Sequence, residues 1–259
     1  MDKVKQINSQ NDLVAEKNAK EYDAHAQSWQ ESMSTNAGHK YLEKPAMEKQ
    51  LPATFDAKAV LCIGVGLGDE LQEILKRNPA RVVGIDISTE LLNIAQSRFP
   101  AVEFRKMDMN SLDFPDSSFD FIYSSLTLHY AKDWDALCSE MYRVLKKEGG
   151  FLFSTHHPEY WSHETPTGAT HTNQRGVVLT EHTALLPGGV NIIYYNHPNT
   201  DSICDALKYA GFKIEKSFIP PVVDLPLNLL PKKDLERYKK IKNKNAKTPL
   251  FFIIKALKI

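Results

Sequence analysis

The sequence predicts an α/β fold built around a mostly parallel sheet. Between residues 59 and 155, apolar runs with strand character alternate with segments of helical period, which is typical of βαβ units. The first run leads into a glycine-rich turn, the second run ends in an acidic residue, and an acidic residue directly follows the third run. The five runs are AVLCIG, RVVGID, VEFRKM, FDFIYS and GGFLFST.

The segments between these runs have apolar residues at helical spacing, so each helix can cover the sheet with one face. Ser88 is predicted to cap the second helix, and the third helix is predicted to begin near Asp133. Gly149 and Gly150 are predicted to end that helix, because glycine adopts the left-handed conformation without steric cost.

The alternation breaks after Thr155. The segment HHPEYWSHETPTGATHTNQRG is polar and contains two prolines, so we predict an inserted loop without a regular element. VVLTEHTALL and VNIIYYN follow as a predicted hairpin around Pro187, Gly188 and Gly189. A helix, the strand FKIEKSFI and the final strand PLFFIIKALK then resume the α/β pattern, and the first 50 residues are predicted to be helical.

Composition excludes several classes of partner. Lysine plus arginine equals aspartate plus glutamate, at 32 each, so the chain lacks the net charge that gathers nucleic acid or an anionic membrane. The N-terminus lacks the apolar centre of a signal peptide, and no stretch approaches a membrane span, so we expect a cytoplasmic protein. The three cysteines are predicted to be reduced and mostly buried. The sequence does not indicate the oligomeric state.

The turn Gly64-Val65-Gly66-Leu67-Gly68 joins the first strand to a helix and indicates a nucleotide site. A dinucleotide fingerprint requires glycine or alanine at position 69, where this chain has Asp69, a carboxylate that would repel a pyrophosphate. A nicotinamide-dependent dehydrogenase is therefore disfavoured but stays as an alternative.

Acidic residues at two strand ends support a nucleoside site. Asp86 follows Gly68 by eighteen residues, where its carboxylate can accept hydrogen bonds from ribose hydroxyls. Asp108 ends the third strand and could accept a hydrogen bond from an adenine amino group, with Met109 packing on the ring. The alternative for Asp86 is an exposed helix cap.

On these motifs, the sequence resembles the class I S-adenosylmethionine-dependent methyltransferases, in the small-molecule branch known as methyltransferase type 11. The motifs stand in the family's order, and the resemblance spans residues 20–259. It implies a Rossmann-like seven-stranded sheet in the order 3-2-1-4-5-7-6, with the last strand antiparallel, helices on both faces and a cap. It also implies the cofactor S-adenosyl-L-methionine. The matching motifs are VLCIGVGLGDE, VVGIDIS, MDMNSLDFPDSSFDFIYSSLTLHY and YRVLKKEGGFLF.

The resemblance also implies which residues bind the cofactor. The glycines approach its methionine part, Asp86 binds the ribose, and Asp108 with Met109 frames the adenine. One departure is Cys62, because the family usually has an acidic residue there that helps to hold the cofactor's amino group; Asp69 or another carboxylate could replace it. The predicted cofactor-binding residues are Gly64, Val65, Gly66, Gly68, Asp86, Ile87, Asp108, Met109, Ser125 and Leu126.

His129 is the candidate general base, because it follows the fourth strand at the ligand edge and histidine titrates near neutral pH. The alternative is a histidine that only packs locally. No metal site is expected, since no histidine pair has the spacing of a ligating helix. The predicted acceptor pocket consists of Tyr22, Trp29, His156, His157, Tyr160 and Trp161.

We expect a single methyltransferase domain over residues 1–259. Within it, residues 1–50 form an N-terminal helical cap, 51–155 the cofactor-binding core, 156–196 an inserted loop and hairpin, and 197–259 the C-terminal part of the sheet; PPVVDLPLNLLP is also assigned to the cap. The expected function is methyl transfer to an O, N or C atom of a small molecule. The alternative is a protein that binds S-adenosylmethionine or S-adenosylhomocysteine without transferring methyl.

Overall fold

A computed structural model of the chain describes residues 2–161, 166–221, 235–236, 238–240, 242–243 and 249–259. The N-terminal part consists of helices. They are α1 (Asp2–Ala24), α2 (Ala26–Met33), a π-helix (His39–Glu43) and α3 (Lys44–Glu48). None of the helices in these ranges is both long enough and apolar enough to cross a lipid bilayer. The predicted cap segment PPVVDLPLNLLP lies almost entirely outside the described residues.

The central part of the chain alternates strands and helices. It comprises β1 (Ala59–Ile63), α4 (Leu71–Leu75), β2 (Arg81–Asp86), α5 (Thr89–Arg98), β3 (Glu103–Lys106), β4 (Phe119–Ser124), a 3₁₀ turn (Leu128–Tyr130), α6 (Trp134–Val144) and β5 (Leu145–His156). The C-terminal part comprises α7 (Pro158–Trp161), β6 (Pro166–Thr172), β7 (Val178–Leu185), β8 (Asn191–Asn196), α8 (Thr200–Tyr209), β9 (Phe212–Phe218) and β10 (Phe251–Lys258).

Seven strands form one sheet in the order β3-β2-β1-β4-β5-β10-β9. The first five strands are parallel, and β10 is antiparallel to both of its neighbours. This confirms the predicted Rossmann-like fold class and its order 3-2-1-4-5-7-6. The central strands are buried on both faces, which explains why they appear in the sequence as continuous apolar runs.

Two of the three predicted helix signals are confirmed. The Ser88 hydroxyl accepts the N–H of Leu91 at 3.1 Å, and the Asp133 carboxylate caps α6. The predicted glycine stop is wrong, because α6 ends at Val144 and both glycines lie within β5. Gly150 is needed there for a different reason: a Cβ at this position would lie 2.6 Å from the Phe121 ring on the neighbouring strand.

Residues after β5 form a second, three-stranded antiparallel sheet in the order β6-β7-β8. The predicted hairpin is confirmed as β7 and β8. The prediction of a loop without regular structure is wrong, since Pro166–Thr172 pairs with β7 as an edge strand. Its polar composition concealed it, because an edge strand with a solvated face needs few apolar residues and its threonines favour extended backbone.

Helix α1 packs against both helix α5 of the core and strand β8 of the small sheet. Asn18, which is 1% exposed, donates from Nδ2 to the Ile193 carbonyl at 2.8 Å and accepts the Ile193 N–H at 2.9 Å. Asp23 accepts the Ser88 hydroxyl at 2.6 Å and so holds the start of α5. Tyr22 belongs to one apolar cluster with Leu91 of the core and residues of the hairpin. The N-terminal helix therefore joins the hairpin to the core above the C-terminal ends of the strands.

Candidate active site

A cavity of about 370 Å³ lies at the C-terminal edge of the parallel strands. Loops that follow β1, β2, β3 and β4 line its floor, and residues from α1, α2 and the β7–β8 turn line the opposite side. This is the edge at which open α/β sheets bind ligands. Nine of the ten predicted cofactor-binding residues line the cavity, and Gly68 does not.

The three glycines of the first turn have positive φ angles of 62°, 48° and 75° for Gly64, Gly66 and Gly68, respectively. A Cβ at Gly64 would overlap the Thr127 side chain, whereas a Cβ at Gly66 would meet no atom within 4 Å. A Cβ at Gly68 would lie 2.9 Å from Leu71. Gly66 therefore leaves cavity space open, while Gly68 serves the packing of α4 behind the turn.

The Asp86 carboxylate reaches across from the end of β2 to this turn. Oδ2 accepts the N–H of Gly66 at 2.9 Å, and Oδ1 accepts the N–H of Ser88 at 2.9 Å. Burial raises the pKa of Asp86, while these backbone hydrogen bonds act in the opposite direction. A carboxylate has about four acceptor positions, so Asp86 retains capacity for ligand hydroxyls. Ile87, next along the chain, also lines the cavity.

Asp108 and Met109 lie at the end of β3, on the same side of the cavity. Asp108 Oδ1 accepts both the backbone N–H and the side-chain amide of Asn110, each at 2.8 Å. Its second carboxylate oxygen has no hydrogen bond within the described part of the chain. Met109 is 7% exposed and packs into the main core.

Ser125 and Leu126 follow β4. Leu126 has a φ of 48°, which is uncommon for a residue with a side chain, and its N–H donates to the Ser154 hydroxyl at 3.0 Å. The Ser125 hydroxyl donates to Glu43 Oε1 at 2.9 Å. The π-helix is therefore tied directly to the loop at the end of β4.

A group of ionisable side chains that the sequence did not single out lies at this end of the cavity. His39 Nδ1 is 2.9 Å from Glu43 Oε2, and His39 Nε2 is 3.7 Å from Glu70 Oε1. Burial alone would lower the pKa of His39, but the hydrogen bond to Glu43 and the nearby carboxylates raise it to about 9. Among the described residues, no group of three or more histidine, cysteine, aspartate or glutamate side chains could hold a metal ion.

His129 lies in the 3₁₀ turn after β4 and faces the cavity at 4% exposure. Neither of its ring nitrogens has a hydrogen-bond partner among the described residues. Its ring stacks on that of His156, with centroids 4.0 Å apart. Burial lowers the pKa of His129 to about 3, so the imidazole is neutral at physiological pH.

The predicted acceptor residues divide into three groups. Tyr22, Trp29 and His156 line the cavity, and the Tyr22 hydroxyl lies 2.6 Å from that of Tyr130. His157 does not line it, because its ring packs edge-on against Phe252 and its Nδ1 accepts the N–H of Glu159 at 3.3 Å. The side chains of the remaining two, Tyr160 and Trp161, lie outside the described part of the structure.

Comparisons with known proteins agree with this architecture. A family model described as a methyltransferase domain matches residues 61–153. An S-adenosylmethionine-dependent methyltransferase from Mesorhizobium loti superimposes with a TM-score of 0.65 and 24% identity, covering 82% of this chain and 96% of that one. Residues 61–153 therefore form a methyltransferase domain, and the chain has the fold of S-adenosylmethionine-dependent methyltransferases. Its cofactor is S-adenosylmethionine.

Two sequence relatives show how far the similarity extends. A Haemophilus influenzae protein described as uncharacterized is 28% identical over 84% of this chain and 87% of its own length. A malonyl-[acyl-carrier protein] O-methyltransferase from Halorhodospira halophila is 30% identical over 44% of this chain. The match covers only 40% of that relative. The acceptor in its name is therefore stated of that relative and not of this chain.

Proposed function

We propose that this methyltransferase transfers the methyl group of S-adenosylmethionine to an oxygen, nitrogen or carbon atom of a small-molecule acceptor. The observation that carries the proposal is the extent of the cavity. It continues from the glycine turn and Asp86 to an aromatic region beside Tyr22, Trp29 and His156. We assign the first part to the cofactor and the aromatic part to the acceptor.

Within the first part, we assign the methionine moiety to the glycine turn with Ser125 and Leu126, the ribose to Asp86 and the adenine to Asp108 and Met109. Two features support this fit. The space beside Gly66 is open to a ligand, and Asp108 has one carboxylate oxygen without a hydrogen bond in the described part of the chain. Such an oxygen suits the adenine amino group.

The surroundings of the aromatic part favour an acceptor that is neutral where it reacts. Both facing histidines are neutral, because burial lowers the pKa of His129 and of His156. A charged group placed among these side chains would lose its hydration without gaining an opposite charge from them. The apolar and aromatic residues of this part are Tyr22, Trp29, Met33, Tyr130, Leu186 and Phe251.

S-adenosylmethionine, when bound, supplies a methyl carbon that is already activated for nucleophilic attack. The protein's contribution is then to align the acceptor atom, and correct orientation can account for much of the acceleration. A neutral imidazole has one donor and one acceptor nitrogen, so His129 can orient an O–H or N–H group of the acceptor. Its low pKa favours this positioning role over storage of a proton at neutral pH.

The cap closes this arrangement from above. Asn18 and Ser28 hydrogen-bond to Ile193 and Gly188, respectively, so α1, α2 and the β7–β8 hairpin form one covering layer. We assign residues 1–50 and 156–196 to this cap, and 51–155 and 197–259 to the sheet. A closed cap excludes water from the transfer step.

The test is production of S-adenosylhomocysteine by the purified full chain with matched panels of neutral phenols and enols, carboxylic acids and amines. Both O and N acceptors are included because relatives that match less than half of this chain are named as O- and N-methyltransferases. We expect turnover with neutral aromatic acceptors, and a loss on Trp29→Ala that the exposed control Leu13→Ala does not cause. Preference for carboxylates or protonated amines would contradict the acceptor assignment.

A further inference from the structure

Strand β1 ends without a charged side chain. Cys62 is 3% exposed and packs in an apolar cluster between Gly84 and Tyr123 of the neighbouring strands. Burial raises the pKa of its thiol further above neutrality, so the side chain has no charge. Cys62 therefore stands where the family resemblance implies an acidic residue, and it supplies no negative charge.

Glu70 supplies a carboxylate close to this point. It precedes α4, lines the cavity, and is 16% exposed at its side chain. It lines the same cavity as Gly64 and Gly66, which belong to the turn that directly follows β1. The neighbouring Asp69 is less suited, because Arg98 Nη1 lies 2.7 Å from its Oδ1 and already compensates its charge.

The π-helix of the N-terminal segment holds Glu70 from the other side. His39 lies between Glu43 and Glu70, at 2.9 Å and 3.7 Å from their carboxylate oxygens. Glu43 is fully buried and also accepts the hydroxyls of Ser125 and Ser154, at 2.9 Å and 2.5 Å. Both hydroxyls donate to Oε1 of Glu43, while Oε2 lies beside His39.

Of the two carboxylates in this group, Glu70 lines the cavity and Glu43 does not. Burial raises the pKa of Glu70, and the charge of His39 acts in the opposite direction. His39 is protonated at neutral pH and compensates one of its two carboxylate partners. Its shorter contact is to Glu43, so Glu70 is the less compensated of the two. Lys44 of α3 donates to the backbone carbonyl of Asp69 at 2.9 Å.

We propose that Glu70, oriented by the His39–Glu43 pair of the π-helix, binds the α-ammonium group of S-adenosylmethionine in place of the missing acidic residue at Cys62. The inference rests on the cofactor orientation proposed above. A carboxylate suits an ammonium group in a partly buried site, because charge-assisted hydrogen bonds are stronger than neutral ones. The N-terminal segment then recognises the cofactor's amino-acid part as well as covering the acceptor.

The test compares S-adenosylhomocysteine with its analogue in which hydrogen replaces the amino group, using calorimetry on the wild-type chain and on Glu70→Gln. The wild type should prefer S-adenosylhomocysteine by about 10- to 100-fold, and Glu70→Gln should lose most of that preference. Because each ratio is measured within one protein, a general loss of stability cancels. The matched control is Glu73→Gln in α4, the helix that Glu70 precedes; the Glu73 carboxylate pairs with Lys76 and Arg77.

Two further measurements separate the possible failures. Affinity for 5′-methylthioadenosine, which lacks the amino-acid part, should stay within about twofold in Glu70→Gln, since only the nucleoside is bound. If the wild type does not distinguish the two homocysteine ligands, or if Glu70→Gln keeps the full preference, Glu70 does not bind the amino group. If none of the three ligands binds the wild type, the cofactor assignment itself is wrong.

Discussion

Asp86 and Gly66 are joined by a hydrogen bond of 2.9 Å from the glycine N–H to the carboxylate Oδ2. The two residues come from different strand ends, β2 and β1, so this bond fixes the glycine turn relative to the next strand. The same carboxylate accepts the N–H of Ser88 and thereby also orders the start of α5. One side chain therefore shapes the floor of the cavity and offers its remaining acceptor capacity to a ligand.

We predict that Asp86→Asn weakens S-adenosylhomocysteine binding by about 1–3 kcal/mol, because an amide accepts at one atom instead of two and has no charge. The ribose belongs to both ligands, so affinity for 5′-methylthioadenosine should fall equally. Calorimetry with both ligands measures this, with the exposed Asp113→Asn as the control. Unchanged affinity would remove Asp86 from the ribose site.

Two glycine substitutions in the same turn should separate binding from folding. Gly66→Ala and Gly68→Ala both place a side chain at positive φ, at a cost of about 1 kcal/mol each. Gly68→Ala also meets Leu71 and Phe99, at 2.9 Å and 3.1 Å, and should lower the thermal midpoint more. Gly66→Ala should instead lower cofactor affinity, and Gly66→Val more so. The reverse pattern in calorimetry and thermal unfolding would contradict the cavity assignment.

The order and direction of the strands could be predicted because the signals for them lie within short stretches of the sequence. Each buried parallel strand is a continuous apolar run, and the register of Gly66 with Asp86 follows from the short β1-α4-β2 connection. Edge strand β6 was missed because it needs little apolar surface. The glycine pair at 149 and 150 was misread because the constraint at Gly150 is the Phe121 ring on another strand, which no local pattern reveals.

The group formed by His39, Glu43 and Glu70 could not be predicted either, because it is brought together by the fold and not by a local pattern. Helix α3 and strand β1 lie between Glu43 and Glu70 in the chain, and no spacing rule relates His39 and Glu43 to Glu70. The sequence offered only an indirect signal, the cysteine at position 62 where an acid was expected. His129 was found from its place after β4, but its burial, and hence its lowered pKa, depends on His156 and Tyr194 from distant elements.

His129 should also make stability depend on pH. The unfolded chain binds a proton at this residue near pH 6.5, whereas the folded protein resists protonation down to about pH 3, so stability is lost as pH falls through this window. Between pH 7.5 and pH 5 the loss is about 2 kcal/mol. Urea unfolding at pH 7.5 and pH 5 should show a smaller difference for His129→Phe. Tyr130→Phe changes the neighbouring residue but keeps the imidazole, so it should retain the wild-type difference. If all three proteins show the same pH dependence of stability, His129 is not its source.

The contact between the β7–β8 turn and α2 tests whether the cap is needed for transfer. Gly188 and Gly189 have nearly the same φ, 88° and 89°, so alanine causes similar backbone strain at both. A Cβ at Gly188 would lie 2.9 Å from the backbone of Ser28 and Trp29, whereas one at Gly189 would meet only the His25 side chain, at 3.3 Å. Backbone cannot move aside as a side chain can, so Gly188→Ala should separate the turn from α2 and break the hydrogen bond from the Ser28 hydroxyl to the Gly188 carbonyl.

We therefore expect Gly188→Ala to increase hydrogen exchange in residues 15–35 and to lower turnover by at least about tenfold, through water entry and a misplaced Trp29. Gly189→Ala is the matched control. Its backbone strain should lower the melting temperature, but it should keep most of its activity. In the wild type, cofactor and acceptor together should protect residues 15–35 and 156–175 from exchange. If Gly188→Ala opens the segment yet retains full turnover, or if saturating ligands leave exchange in both segments unchanged, the helices and hairpin do not form the acceptor's cover. The nucleoside site at Asp86 would survive that result, because it is built from the sheet alone.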